Sequence, residues 1–257
     1  MKILIIGYGI VGQAVHNGLK NYPLIQIQIM DPPKDMNPLD NGVQDWSDYN
    51  YYDGIIMCLP TPQGPTGECD DMLIEQYHYD IRKHATKVPI LIKSTISVEL
   101  IDLLKDDKFL TTNPEFLTEA DSKDEFLHQK FAIFGGYQCR YWYSLFMNAG
   151  IYMNSVKFTD IRTAAFAKYT INSFLATKVI FFNELQSMFG KDGFDELTQI
   201  VSMDERIGKS HMMVPGSDQK LGFGGMCFPK DTSAFVKSGK GKLTLLEKAR
   251  EINEELR

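Results

Sequence analysis

The chain has 257 residues, 44% hydrophobic and 23% charged, the balance of an ordinary soluble globular protein and enough for one large domain or two smaller ones. A formal net charge of −6 excludes a general nucleic-acid binder, which carries a basic face, although local lysines and helix N-termini can still hold an anionic small ligand. The four cysteines, Cys58, Cys69, Cys139 and Cys227, show no C-x-x-C spacing, so no metal site or redox pair is indicated; without a signal peptide or an apolar run near the ~18 residues of a membrane helix, a cytoplasmic protein is expected.

Lys2–Ile6 (KILII) is a short apolar run bounded by glycine, which predicts a buried strand. Gly7-Tyr8-Gly9-Ile10-Val11-Gly12 follows, a G-x-G-x-x-G, and residues 10–20 continue with helical spacing. Strand, glycine turn and helix in this order are the context that a dinucleotide fingerprint requires. Gly7 permits the tight turn, Gly9 lets the backbone approach a pyrophosphate, and Gly12 lets the helix pack on the strand. The phosphates would lie at the helix N-terminus, where unpaired N–H groups and the dipole favour anions. A second strand over 25–30 ends in Asp31. A carboxylate there, roughly 20 residues past the glycines, binds both ribose hydroxyls and repels the extra phosphate of NADP, so NAD is the expected cofactor. The plainer reading is a glycine turn without a ligand.

Further strands are predicted at 53–59, 89–93, 108–112 and 130–134, with helices near 71–84, 97–105 and 138–147. That alternation predicts α/β architecture, a doubly wound, mostly parallel sheet. Cys58 reads as a core residue of a buried strand, and Cys69, in a loop with Gly64, Pro65 and Gly67, has no assigned role.

A long helix is predicted over 160–189. It is apolar on nearly every face, which predicts burial rather than amphipathicity. Lys168 and Asn172, four apart, project from one side of it. A lysine in such a helix is either functional, because desolvating an ammonium is costly, or snorkels to the surface; Lys178 fits the second description better. Residues 221–231 (LGFGGMCFPKD) are the most informative run. Three glycines bring backbone close to a partner, and Cys227 beside Lys230 is either a nucleophile of lowered pKa or a small core residue.

These pieces resemble the UDP-glucose/GDP-mannose dehydrogenase family, in the family's order: the fingerprint at 7–12, LPTP at 59–62, KST at 93–95, NPEFLTE at 113–119, KYTINSFLATKVIFFNEL at 168–185, DERIG at 204–208 and GFGGMCFPKD at 222–231. The resemblance implies a Rossmann-like NAD-binding domain over 1–158. An all-helical dimerisation and catalytic domain over 159–257, built on the long central helix, would follow. It implies oxidation of the 6-hydroxyl of a nucleotide sugar to a carboxylate with two NAD, UDP-glucose being the leading substrate. Cys227 would be the nucleophile, and Lys168 with Asn172 would stabilise the oxyanion at C6. Asp231, Thr95 and Glu119 would hold and polarise water, and Glu115 would be the base of thioester hydrolysis. Ile10, Val11, Lys34, Thr61, Thr95, Glu119 and Lys230 would line the cofactor beside the glycines and Asp31. Phe116, Leu117, Phe223 and Gly224 would contribute backbone to the substrate site, while Glu115, Lys168 and Asn172 contribute side chains. Arg206 would reach the substrate of a neighbouring subunit, which makes a homodimer through helix 160–189 part of the expectation. No metal, nucleic acid or membrane is implied.

Three departures from the family pattern stand out. Residues 32–52 are short for the family, so the sheet is expected to lack a strand or keep a fragment near 42–46. The loop 206–222 is longer than in many members, which would reshape the substrate pocket. The chain ends after LTLLEKAREINEELR, where the family continues into a C-terminal UDP-binding domain; either the shorter form is natural or a separate polypeptide supplies that half. Residues 242–257 alternate charges around Leu243, Leu245, Leu246, Ala249 and Ile252, as a solvated terminal helix packed on its own domain does. Two other readings remain open: a two-electron hydroxy-acid dehydrogenase of the β-hydroxyacid type, which does not need Cys227, and a non-catalytic NAD-binding module.

Overall fold

A computed structural model describes residues 1–36, 48–116 and 122–257. Residue alternation organises the first half. Along β1 (Lys2–Ile6), Ile3 and Ile5 enter one apolar cluster while Leu4 and Ile6 enter another. The split recurs in β3 (Gly54–Met57) and β4 (Ile90–Ile92): Ile56 and Leu91 join the first cluster, Ile55, Met57, Ile90 and Ile92 the second. Strands whose apolar residues point to both sides are covered on both faces, as in a sheet between two helical layers.

With β2 (Gln26–Met30), β5 (Leu110–Thr112), β7 (Ala132–Gly136) and β9 (Val156–Thr159), these form one sheet in the order β2-β1-β3-β4-β5-β7-β9. Every neighbour is parallel except β5 and β7, so the expected mostly parallel sheet is present with one reversal. At that reversal Gly136, with φ +127°, has no room for a side chain: a Cβ would lie 2.4 Å from the Leu110 carbonyl oxygen. The helices are α1 (Ile10–Leu19), α2 (Met72–His84), α3 (Val98–Leu104), α4 (Ser122–Leu127) and α5 (Cys139–Asn148). Strands β6 (His128–Gln129) and β8 (Tyr152–Met153) make a separate parallel pair. Neither this pair nor β9 was expected, since YM and VKFT carry too little apolar alternation to register.

The described residues of the short stretch after Asp31 include the single-turn 3-10 helices Pro32–Lys34 and Tyr49–Tyr51, and the hinted fragment at 42–46 lies outside the described residues. Among the described residues β1 pairs directly with both β2 and β3.

The chain divides into two compact units, Met1–Pro62 with Asp70–Lys168, and Gln63–Cys69 with Tyr169–Arg257. The second unit is helical apart from the Gln63–Cys69 bridge. It contains the later part of α6 (Ile161–Phe189), then α7 (Phe194–Val201), α8 (Phe228–Gly239) and α9 (Thr244–Leu256). Helix α9 buries Leu246, Ala249 and Asn253 and leaves Leu245 exposed, so it packs on its own unit as the charge pattern implies.

Two expectations for α6 need correction. It is not buried on all sides: Phe174, Phe181 and Met188 are 65%, 57% and 81% exposed. Their spacing of seven puts them in one stripe along the helix. Lys178 does not snorkel. It is buried, and its Nζ donates to the carbonyls of Ile207 (2.9 Å) and Gly208 (3.2 Å), partners about thirty residues away that local sequence cannot reveal.

Candidate functional site

In the first unit, the turn between β1 and α1 has the geometry its glycines suggest. Gly7 sits at φ +90°, and a Cβ on it would lie 2.5 Å from the Cys58 carbonyl oxygen. A Cβ on Gly12 would lie 2.1 Å from the Gly7 carbonyl oxygen, whereas one on Gly9 would meet nothing within 4 Å. The turn is closed on its inner side and open at Gly9, which begins α1 as its N-cap. Asp31 ends β2 beside it: the Tyr8 N–H donates to Asp31 Oδ2 at 2.6 Å. Lys34 Nζ donates to the Tyr8 carbonyl and lies 3.7 Å from Asp31 Oδ2. Ile10 is exposed, Val11 half-buried and Thr61 buried. Tyr8 also meets His16 Nδ1 through its hydroxyl at 2.6 Å. Burial, and then the Lys20 charge, lower the His16 pKa.

The loops after β4 and β5 hold a second group of polar side chains in the same unit. Lys93, which ends the apolar run of β4, is 2% exposed. Its Nζ donates to Asn113 Oδ1 at 2.6 Å and lies 2.7 Å from Glu115 Oε2. The second contact is an ion pair outside hydrogen-bonding geometry, so Oε2 has no hydrogen-bond donor. The Phe116 N–H donates to Glu115 Oε1 at 3.0 Å, and Lys168 Nζ donates to the Glu115 main-chain carbonyl. Lys168 also stands 5.0 Å from the centre of the Phe116 ring. Thr95 is half-buried in the loop after β4, where Ser94 Oγ donates to the Leu59 carbonyl at 2.6 Å. Leu117 and Glu119 lie outside the described residues.

In the second unit, Cys227 is exposed at the N-cap of α8. One turn on, the Asp231 N–H donates to the Cys227 carbonyl at 2.8 Å. The Asp231 carboxylate is 1% exposed and each of its oxygens accepts a hydrogen bond: Asn172 Nδ2 donates to Oδ2 and Lys230 Nζ to Oδ1, both at 2.6 Å. The glycine run before Cys227 hangs from two buried asparagines. Asn183 Oδ1 accepts from the Gly222 N–H (3.0 Å) and Asn253 Oδ1 from the Phe223 N–H (2.6 Å). A Cβ on Gly224 would lie 2.5 Å from the Arg257 guanidinium, which also pairs with Asp218 in the long loop. Arg206 stands apart from these groups, its side chain 89% exposed and paired with Asp204. Sequence reasoning gave no role to Lys93, Asn113, Asn183 or Asn253. For Lys93 a signal existed, since a charge closing a fully apolar strand must find a partner.

A family model described as UDP-glucose/GDP-mannose dehydrogenase family, central domain, matches residues 162–255. The chain is 33% identical over 202 residues to a UDP-glucose 6-dehydrogenase of Rickettsia typhi, a match covering 74% of this chain and 45% of that protein. The chain belongs to the UDP-glucose/GDP-mannose dehydrogenase family. As a member it spans a little under half the length of the relative just named. Its fold is that of a UDP-glucose dehydrogenase from Pyrobaculum islandicum (TM-score 0.78, 22% identity, 99% of this chain and 68% of that one). It also matches the fold of a 3-hydroxyisobutyrate dehydrogenase from Mycobacterium tuberculosis (TM-score 0.71, 17% identity, 99% and 92%). No described helix of this family member is long and apolar enough to cross a membrane, and among the described residues no His/Cys/Asp/Glu group could hold a metal ion.

Proposed function

We propose that this chain carries out the NAD-dependent four-electron oxidation of a nucleotide-sugar 6-hydroxyl to a carboxylate, with UDP-glucose going to UDP-glucuronate as a precursor for polysaccharide synthesis in the cytoplasm. The observation that carries this reading is the buried Asn172–Asp231–Lys230 cluster, held in the first turn of the helix that Cys227 opens. A carboxylate so thoroughly engaged and buried is costly to keep without a purpose, and it stands four residues from an exposed thiol.

Residues 1–158 would act as the NAD-binding domain and 159–257 as the helical domain carrying the catalytic cysteine. The glycine turn fits a dinucleotide: it rejects side chains at Gly7 and Gly12 and leaves the backbone at Gly9 open, with Asp31 adjacent for a ribose. Ile10, Val11, Lys34, Thr61, Thr95, Glu119 and Lys230 would complete the contacts. When bound, NAD supplies the hydride acceptor for both oxidations.

After the first hydride leaves C6, the Cys227 sulfur bonds to the aldehyde carbon and retains it as a thiohemiacetal. Lys168 and Asn172 stabilise the oxygen's developing negative charge. Loss of the second hydride gives a thioester on Cys227. A water held by Asp231, Thr95 and Glu119 then attacks: its oxygen bonds to the acyl carbon, Glu115 takes its proton, and the carbon–sulfur bond breaks to return the thiolate. Phe116, Leu117, Phe223 and Gly224 orient the sugar nucleotide through their backbone.

The reading includes a homodimer. The exposed stripe of Phe174, Phe181 and Met188 on α6 suits burial against a second copy, and the extended Arg206 suits a contact with that copy's substrate.

The test is NADH release from a panel of sugar nucleotides, with stoichiometry. Two NADH per sugar consumed, lost in Cys227→Ser, is the expected result. One NADH per substrate, unaffected by Cys227→Ser, would favour the two-electron hydroxy-acid reading, which the fold match covering 92% of 3-hydroxyisobutyrate dehydrogenase recommends. Tight NAD binding without turnover would point to a binding module, or to nucleotide contacts supplied by another polypeptide.

A further inference from the structure

The Lys93 ammonium is almost completely withdrawn from water, and its polar surroundings are few. Its backbone N–H is committed to the Met57 carbonyl at 2.9 Å, so the residue is anchored in the sheet. Its Nζ faces the Asn113 amide oxygen, the Glu115 carboxylate and, at 5.4 Å, the centre of the Phe126 ring. Asn113 cannot swing away. Its own Nδ2 donates to the Ile133 carbonyl and its N–H to the Ile92 carbonyl, both at 2.8 Å. Glu115, one residue before the end of the described part of its loop, retains 13% side-chain exposure. A rigid, buried cation therefore pairs with a carboxylate whose side chain is not wholly enclosed.

We infer that Lys93 is a positioning residue for Glu115: fixed by Asn113 and the sheet, it holds the Glu115 carboxylate in the place from which it meets the water of the hydrolytic step. The inference rests on the proposed role of Glu115 as the base of that step. A base must lie within hydrogen-bonding reach of its water, and a cation that is itself fixed restrains the carboxylate it pairs with. Among the described residues, the other titratable groups facing this pair are Lys168, bound to the Glu115 carbonyl, and the Cys58 thiol. Burial pushes Cys58 up to about 12, so it stays neutral over the working range. When Glu115 takes the water's proton, Lys93 keeps its charge and its bond to Asn113, and the pair is restored when that proton passes to solvent. No other group need change protonation state.

Two measurements test this separately from the overall reaction. The first needs no turnover. The Glu115 carboxyl resonance is followed at fixed pH by 13C NMR in glutamate-labelled protein, assigned by its loss in Glu115→Gln. In Lys93→Met it should move and broaden as the side chain loses its fixed partner, while Lys93→Arg should leave it near the wild-type position. An unmoved, unbroadened resonance in Lys93→Met overturns the inference whatever the enzyme's substrate. The second is rapid mixing with NAD and UDP-glucose. Lys93→Met should release its first two NADH per site at close to the wild-type rate, then turn over at least roughly tenfold more slowly, with acyl-enzyme accumulating on Cys227. The double variant Lys93→Met/Glu115→Gln should be no slower than Glu115→Gln alone. Equal slowing of burst and steady state, or multiplicative losses in the double variant, would reject a role in hydrolysis. If Lys93→Met does not fold, Lys93→Gln takes its place in both measurements. A wild-type protein that releases no NADH would count against the proposed oxidation, leaving the carboxyl resonance to decide on Lys93.

Discussion

The glycines of the nucleotide turn are not interchangeable, and the difference is measurable. A side chain at Gly7 would need a left-handed backbone and collide with the Cys58 carbonyl, and one at Gly12 would collide with Gly7 itself. Gly7→Ala and Gly12→Ala should each lower unfolding stability by several kcal/mol, on the order of 2–4, in denaturant melts. Gly9→Ala, facing open space, should change stability by less than about 0.5 kcal/mol yet weaken NAD binding in calorimetry, because its methyl group would occupy the approach of the pyrophosphate. Equal destabilisation by all three would contradict this division. Residues of this kind were legible because their reason is local: each glycine answers to a neighbour in the same turn or to the next strand. Lys93 and Lys178 were harder. Lys93 finds its counter-ion on the loop after β5, and Lys178 reaches carbonyls about thirty residues on, distances over which periodicity carries no information.

Among the elements, α2 is fastened to the loop before β5 by one carboxylate. Asp107 Oδ2 accepts from Arg82 Nε at 2.6 Å and meets His78 Nε2 at 2.7 Å. Burial alone would raise the Asp107 pKa, but the bonds to His78, Arg82 and the Phe109 N–H outweigh it and hold the group at about 2. A carboxyl held low in the folded state stabilises above its unfolded pKa and loses that contribution as pH falls. Asp107→Asn should therefore cost on the order of 2 kcal/mol at pH 7. The gap to wild type should be constant above about pH 4.5 and should narrow steadily toward pH 2, as read from urea midpoints across that range. A gap independent of pH would mean that packing, not charge, is what the substitution removes. At this scale the sequence was informative for strands and helices with strong apolar patterns, such as KILII in β1 and the whole of α6. It was silent on β9, where Lys157 interrupts VKFT, and on the reversal between β5 and β7, since strand direction leaves no trace in alternation.

For the whole molecule, the exposed stripe of α6 is the feature with the largest consequence. Apolar composition was read from the sequence as uniform burial; the structure leaves Phe174, Phe181 and Met188 facing outward at heptad spacing, and composition gives no hint of which apolar residues a helix leaves exposed. Replacing Phe174 and Phe181 together by glutamate should convert a dimer to a monomer in light scattering, with little loss of secondary structure by circular dichroism. A wild-type chain that is monomeric at all concentrations would dispose of the dimer.

The segment Gln63–Cys69 has an implication for how the protein can be divided. It belongs to the helical unit although the chain on both sides of it belongs to the sheet unit. It is tied there by the Lys237–Glu68 ion pair and by Cys69, which packs with Tyr169 and Ala234. Evolutionary kinship, as recorded by the family match over 162–255, is continuous along the chain, but the compact unit is not. A fragment beginning at Tyr169 would keep all but the first seven residues of the matched region and still leave a vacancy beside α8, where Gly67 approaches Ser233 so closely that a methyl group would not fit. Such a fragment should refold better when a peptide spanning 63–69 is supplied in trans, which makes the seven-residue loop a small test of where inheritance and folding draw different borders.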